Sequence, residues 1–186
     1  LVRSQIQADA EAIAAGSKLT VIGRAGVGVG NIDVDAATAA GITVVNAPTG
    51  NTIAAAEHAF SLMMALSRNV AQADASMRRG EWTRSKFMGV ELRNKTLGIV
   101  GLGKVGSEVA RRARAFEMTV IAFDPYVADE RARGIGVEMV DMDGLLGGSD
   151  YISIHTPLTA GTKSLIGALE FAKLKPGVRI VNAARG

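Results

Sequence analysis

Thr96-Leu97-Gly98-Ile99-Val100-Gly101-Leu102-Gly103-Lys104-Val105-Gly106 decides the fold class. After Thr96, the first residues run apolar with no polar alternation, as in a strand covered on both faces. The six from Gly101 have the spacing G-x-G-x-x-G. In a chain with 22 glycines that spacing is weak by itself. Its context is strong: an amphipathic stretch over 104–116 follows, then a second strand over 119–123 that ends in Asp124. Gly101 allows a tight turn, Gly103 lets backbone approach a pyrophosphate, and Gly106 lets the helix lie close to the strand. The first turn of that helix offers free N–H groups to the anion. Asp124, about 20 residues on, is placed to accept hydrogen bonds from ribose hydroxyls. Its carboxylate repels a 2′-phosphate, and Pro125 and Tyr126 follow it rather than an arginine, which favours NAD over NADP. A glycine loop with an acid after the next strand also suits S-adenosylmethionine, so the fingerprint alone leaves a methyltransferase open.

Outward from this unit, short apolar runs alternate with helical stretches. Strands are expected at 19–22, 42–46, 96–100, 119–123, 151–155 and 178–182. Helices are expected at 8–15, 34–40, 52–67, 104–116, 128–133 and 168–174. The alternation predicts an α/β protein with a Rossmann-type, doubly wound parallel sheet. Asn46-Ala47-Pro48-Thr49-Gly50-Asn51 is a turn-rich break, so a domain change is expected near residue 48. A protruding arm is expected over 80–94. The long helix carries Ile53, Ala56, Phe60, Met63, Met64 and Ala65 on more than one face. It is expected to be buried on several sides, by its own domain and by a partner subunit.

Composition narrows the function. At 48% apolar residues the chain can bury a sizeable core, which excludes intrinsic disorder. Lys and Arg number 21 against 18 Asp and Glu, a thin surplus of +3 with no clustered basic run. With only 4% aromatics, no nucleic-acid partner is expected. The absence of cysteine excludes disulfides, Cys-ligated zinc and thiol catalysis, and fits a reducing compartment such as the cytoplasm. No stretch approaches the ~18 continuous apolar residues of a membrane span, so no membrane partner is expected. Leu1-Val2-Arg3-Ser4 has neither an initiator Met nor a signal-peptide layout, and the chain reads as a piece of a longer one.

Three further features can carry chemistry. Gly23-Arg24-Ala25-Gly26-Val27-Gly28-Val29-Gly30 follows the strand at 19–22, where such a loop can offer N–H groups to a carboxylate or phosphate. An ordinary flexible turn fits the same letters. His155 ends a strand at the sheet edge where α/β ligands bind, leaving acid/base work, cofactor contact and a structural role all open. His58 lies beside Glu57 without an H-E-x-x-H pattern, so no metal site is expected. Arg185 follows the last strand, where an arginine can clamp a substrate carboxylate in bidentate fashion or lie solvated in its loop.

Together these motifs resemble a known family. Gly-Arg-Ala-Gly-Val-Gly at 23–28, Asn46-Ala47-Pro48, Ala56-Glu57-His58, the 101–106 fingerprint, Phe123-Asp124-Pro125, His155-Thr156-Pro157 and Asn182-Ala183-Ala184-Arg185-Gly186 stand in the order of the D-isomer-specific 2-hydroxyacid dehydrogenases. The resemblance covers essentially the whole chain.

It implies that residues 1–48 are part of a flavodoxin-like substrate domain and residues 49–186 a C-terminally incomplete NAD-binding domain. The arm and the long helix would then lie in a homodimer or homotetramer interface. By the same resemblance, Val27 approaches the nicotinamide, and the Gly26, Val27 and Gly28 backbone holds the substrate carboxylate. Lys104 and Val105 meet the pyrophosphate beside Gly101, Gly103 and Gly106, and Asp124 meets the ribose. His155, Thr156 and Pro157 lie on the cofactor side, with Ala183 and Ala184 along the nicotinamide half. Arg185 is the catalytic arginine, and Arg3 meets a substrate phosphate. With Trp82-Thr83-Arg84-Ser85-Lys86-Phe87-Met88-Gly89 in the arm, this favours 3-phosphoglycerate, oxidised at C2, over a glyoxylate or hydroxypyruvate reductase. A dinucleotide-sensing corepressor is the reading from another class.

Two departures qualify the likeness. The family's catalytic glutamate and histidine follow its arginine motif, and only Gly186 follows Arg185 here, so these 186 residues alone are expected to be inactive. Gly30 stands where relatives usually carry an aspartate.

Overall fold

The computed structural model of the chain describes residues 1–184, and the chain folds as two compact units, Leu1–Thr52 and Ile53–Gly186. In the first unit, Asp9 caps α1 (Ala10–Ala15) by accepting the Ala12 N–H at 2.9 Å. The chain then enters β1 (Val21–Arg24), passes through α2 (Val34–Ala39), capped by Asp33, and returns as β2 (Thr43–Asn46). β1 and β2 pair in parallel from Val21↔Thr43 to Arg24↔Asn46. Ala8, Ile13, Ile22, Ile32, Ala37 and Ile42 form the core of this unit. The strand expected at 19–22 lies two residues later. Leu19 is held in a turn to Gly16 O, and Arg24 joins the sheet because its buried guanidinium finds internal acceptors.

The second unit begins within α3 (Thr52–Arg68), and α4 (Val70–Arg78) follows after Asn69 in a left-handed conformation. The arm contains a single 3-10 turn, Arg84–Phe87. Then come β3 (Thr96–Val100), α5 (Lys104–Ala115), β4 (Thr119–Phe123), α6 (Asp129–Gly134), β5 (Glu138–Met139), α7 (Met142–Gly148), β6 (Tyr151–Ile154), α8 (Ala168–Phe171) and β7 (Arg179–Asn182). The sheet order is β5-β4-β3-β6-β7 with every pairing parallel. The chain leaves β3 toward β4 and β5 on one side, and fills β6 and β7 on the other. The direction of winding therefore reverses between β3 and β6, which opens the crevice that binds ligands in such sheets.

Alternate residues of β3 serve opposite faces, as strand geometry requires. Leu97 and Ile99 join Ala56, Phe60 and Met63 of α3 and Val109, Ala110 and Ala113 of α5 in one core. Val100 joins Leu145 and Leu146 of α7 in another. Gly98 faces α7 so closely that a Cβ there would lie 2.1 Å from Ser149 Oγ and 2.9 Å from Leu145.

Sequence reasoning missed α4, β5 and α7. α4 is largely polar, and β5 has two residues, too few to show a period. α7 reads Met-Asp-Gly-Leu-Leu-Gly-Gly, three glycines that suggest a loop. It is helical because Asp141 accepts the Gly144 N–H at 2.7 Å while Leu145 and Leu146 are fully buried. On α3 the buried residues Ala56, Ala59, Phe60, Met63 and Ser67 form a single stripe, and Ile53 is exposed. Within this chain it is buried on one side only.

Candidate nucleotide-binding site

The fingerprint glycines each have a separate steric reason. Gly101 has φ +92°, and a Cβ on it would meet the carbonyl carbon of His155 at 3.0 Å and Thr156 N at 3.1 Å. The turn after β3 thus rests on the peptide after β6. A Cβ on Gly106 would lie 2.2 Å from Gly101 O, so only glycine lets α5 start this close to the strand. Gly103, the residue before α5, has nothing within 4 Å of its would-be Cβ. That open side, beside the first turn of α5, suits a diphosphate. Lys104 is exposed at this turn, whereas Val105 is half-buried and packs against the main core.

Asp124 sits half-buried where β4 ends. Its Oδ2 accepts the Leu102 N–H at 2.9 Å and its Oδ1 accepts the Tyr126 N–H at 2.9 Å. The carboxylate therefore braces the glycine loop. An ionised carboxylate has about four lone-pair sites, so capacity remains for ribose hydroxyls. These residues fit a dinucleotide.

Across the crevice, the His155 N–H donates to Val100 O at 2.8 Å. The His155 ring Nε2 is 2.8 Å from Ser153 Oγ, itself buried. Burial pushes the imidazole pKa down to about 4, so the ring is neutral near pH 7. Thr156, Pro157 and Ala184 line a cavity of about 130 Å³ with Ile154, Ile166 and Asn182, at the carboxyl ends of β6 and β7. Ala184 N donates to Asn182 Oδ1 at 3.0 Å, and Ala183 packs against the main core. Arg185 lies outside the described residues.

In the first unit, the 23–30 loop is held by groups that sequence reasoning overlooked. The buried Arg24 donates to Asn31 Oδ1 (3.0 Å), Ala25 O (2.9 Å) and Ser4 Oγ (3.1 Å). A Cβ on Gly26 would lie 2.6 Å from Arg24 Nη1. Asn46 Nδ2 donates to Val27 O at 2.7 Å, and Ala47 N donates to Gly26 O at 3.1 Å. The loop is a braced structure, with the Val27 side chain exposed. Arg3 is exposed nearby in the chain, and its carbonyl accepts from Asn31 Nδ2 at 3.0 Å. Gly30 has open space around a would-be Cβ, so an aspartate would fit there. The only signal for these braces was the polar letters Arg24, Asn31 and Asn46 beside the glycines.

Among the described residues no helix is long and apolar enough to cross a membrane. Residues 60–186 match the family described as D-isomer specific 2-hydroxyacid dehydrogenase, NAD binding domain, and the chain belongs to that family. Over all 186 of its residues it is 59% identical to the D-3-phosphoglycerate dehydrogenase of Archaeoglobus fulgidus and 55% identical to that of Mycobacterium leprae. It spans 35% of the length of each. Among solved structures, the D-lactate dehydrogenase of Aquifex aeolicus complexed with NAD and lactic acid superposes with a TM-score of 0.89 at 31% identity, covering 100% of this chain and 56% of that one.

Proposed function

We propose that the full-length protein oxidises 3-phosphoglycerate at C2 to 3-phosphohydroxypyruvate with NAD, the first step of the phosphorylated route to serine. The observation that carries this reading is the identity of 59% and 55% to D-3-phosphoglycerate dehydrogenases across the whole chain, against 31% to a D-lactate dehydrogenase of the same fold. Residues 1–48 then belong to the substrate domain and 49–186 to the NAD-binding domain.

NAD, when bound, would supply the acceptor for the hydride that leaves C2. Gly101, Gly103, Lys104, Val105 and Gly106 hold its diphosphate, and Asp124 its ribose. Thr156 and Pro157 with Ala183 and Ala184 flank the nicotinamide half. His155, neutral and tied to Ser153, supports that wall rather than moving a proton. In the substrate domain, Val27 and Gly28 offer N–H groups to the carboxylate, the Gly26 N–H being taken by Arg24 O at 2.8 Å, and Arg3 meets the phosphate. Arg185, from the NAD-binding domain, orients carboxylate and reacting oxygen. The cysteine-free composition supports a cytoplasmic, reducing setting.

The test supplies NAD to the full-length protein with 3-phosphoglycerate, D-glycerate or glycolate and follows NADH. A kcat/KM at least about 100-fold higher for 3-phosphoglycerate is expected, because an analogue without the phosphate leaves the groups that would pair with it unsatisfied. Equal rates with D-glycerate would overturn the phosphate assignment, and Arg3→Ala should erase the preference.

A further inference from the structure

At the opposite end of the sheet from the glycine loop, a cavity of about 190 Å³ is lined by Lys95, Asp150, Tyr151, Lys175 and Arg179. The backbone gathers these residues. Thr96 opens β3, and Asp150 N donates to Thr96 O at 2.9 Å. Arg179 N donates to Asp150 O at 3.1 Å, and Tyr151 stands in register with Arg179. The amino ends of β3, β6 and β7 thus bring three cations and one carboxylate to a single opening, a formal surplus of two positive charges.

The carboxylate is already committed. Asp150 Oδ2 accepts the Thr96 N–H at 2.8 Å, and Oδ1 lies 3.4 Å from Lys175 Nζ. Burial alone would raise its pKa, but the Thr96 N–H, Lys175 and Lys95 together hold it below the usual value. Lys175 is anchored by donating to Gly148 O at 2.6 Å. Among the described residues, neither Lys95 nor Arg179 has an ion pair. The Arg179 guanidinium lies 5.5 Å from the centroid of the Tyr151 ring, with no side-chain hydrogen bond among the described residues. A guanidinium held against an aromatic face is already oriented, and its donor edges suit a bidentate oxyanion. All three cations are half-buried, where charge is screened less than on an open surface.

We propose that this cavity binds a small phosphate-class dianion between Lys95, Lys175 and Arg179. The site is separate from the nucleotide crevice, and none of its residues is among those assigned to NAD or to the substrate. An anion here would tie together the starts of β3 and β7, the strands on either side of β6.

The test is thermal unfolding of the full-length protein, saturated with NAD and carrying Arg3→Ala to remove the proposed substrate phosphate partner. Inorganic phosphate is titrated at constant ionic strength against chloride. A saturable rise in Tm is expected, with the half-saturating concentration at least tenfold higher in Lys95→Gln/Arg179→Gln. Glycerol phosphate is run in parallel. A matching response assigns the site to phosphorylated metabolites, and a response to inorganic phosphate alone assigns it to free phosphate. A response shared by chloride, or one unchanged in the double variant, overturns the proposal. If Arg179→Gln uncovers Tyr151 and prevents folding, Lys95→Gln alone carries the comparison, with at least a threefold shift expected.

Discussion

The Asp124 carboxylate grips the Leu102 N–H at 2.9 Å, so the acid at the end of β4 and the glycine loop after β3 form one rigid piece. Leu102 is buried, and the Asp124 carboxylate is the acceptor of its N–H. Asp124→Ala should therefore act twice. It should cost about 1–3 kcal/mol of stability through the orphaned donor. It should also weaken NAD binding about tenfold or more while narrowing the gap to NADP, because the repulsion of a 2′-phosphate disappears. Fluorescence titration of the full-length protein with both nucleotides checks this. Equal NAD and NADP affinity in the unmodified protein would remove the basis of the prediction.

The three fingerprint glycines should separate by their surroundings. Gly106→Ala places a methyl 2.2 Å from a backbone oxygen, and the overpacking should cost about 3 kcal/mol. Gly103→Ala meets nothing and should change stability by less than about 1 kcal/mol. It should nevertheless raise the NAD Kd at least about tenfold, since its methyl occupies the space left for the diphosphate. Urea unfolding paired with NAD titration distinguishes the two. A Gly103→Ala protein that binds NAD normally would displace the diphosphate from this loop.

His155 gives a pH dependence with a definite sign. Its folded pKa of about 4 is depressed from 6.5, so the unfolded chain binds more protons between these values. The contribution to stability is complete above pH 6.5 and is lost as pH falls through about 4, up to about 3 kcal/mol. Urea midpoints measured from pH 7 to 4 should fall less steeply for His155→Gln than for the unmodified protein. The acidic limb of the kcat/KM profile should stay in place, because a ring already neutral there does not set it. Loss of that limb in the variant would return His155 to acid/base duty.

What the letters reveal of the fold depends on how local the cause is. β3, β4 and Asp124 were legible because each rests on a short pattern: an unbroken apolar run, a glycine spacing, an acid after the next strand. Arg24 was not, because a charged residue reads as surface until its acceptors are known, and Asn31 and Ser4 are brought to it only by the fold. Which faces of α3 its own domain covers was not legible for a related reason: apolar letters recur around the helix, and Ile53 stands exposed in this chain while Ala56, Phe60 and Met63 are buried.

Ser67 and Tyr151 show how α3 is locked to the sheet. Ser67 Oγ donates to Met63 O at 2.7 Å and lies 2.8 Å from the Tyr151 hydroxyl, so the tyrosine is the donor between them. Both side chains are essentially inaccessible. Ser67→Ala should cost about 1–3 kcal/mol by stranding a buried hydroxyl, whereas Tyr151→Phe removes donor and demand together and should cost about 1 kcal/mol. The double variant should cost less than the two single losses added. Additive losses in urea unfolding would show that the pair is not coupled.

The exposed flank of α3 and its continuation bear on assembly. Leu62 and Leu66 on α3, Val70 and Met77 on α4, and Trp82 and Met88 in the arm are all exposed, the last two at 73% and 82%. Apolar exposure of this extent along consecutive elements marks an interaction surface, and tryptophan and methionine are enriched in such interfaces. A second copy of the protein is the proposed occupant, since the same elements fall in the subunit interface by the family resemblance. Leu62→Asp/Leu66→Asp changes residues already in water, so the protomer should keep its stability to within about 1 kcal/mol. In the dimer each aspartate would be buried unpaired, at a cost of several kcal/mol. Sedimentation at micromolar concentration should show the unmodified full-length protein as a dimer or larger, and the variant shifted to smaller species. An unmodified protein that sediments only as a monomer would refute the assembly, and a variant that keeps its size would move the interface away from α3.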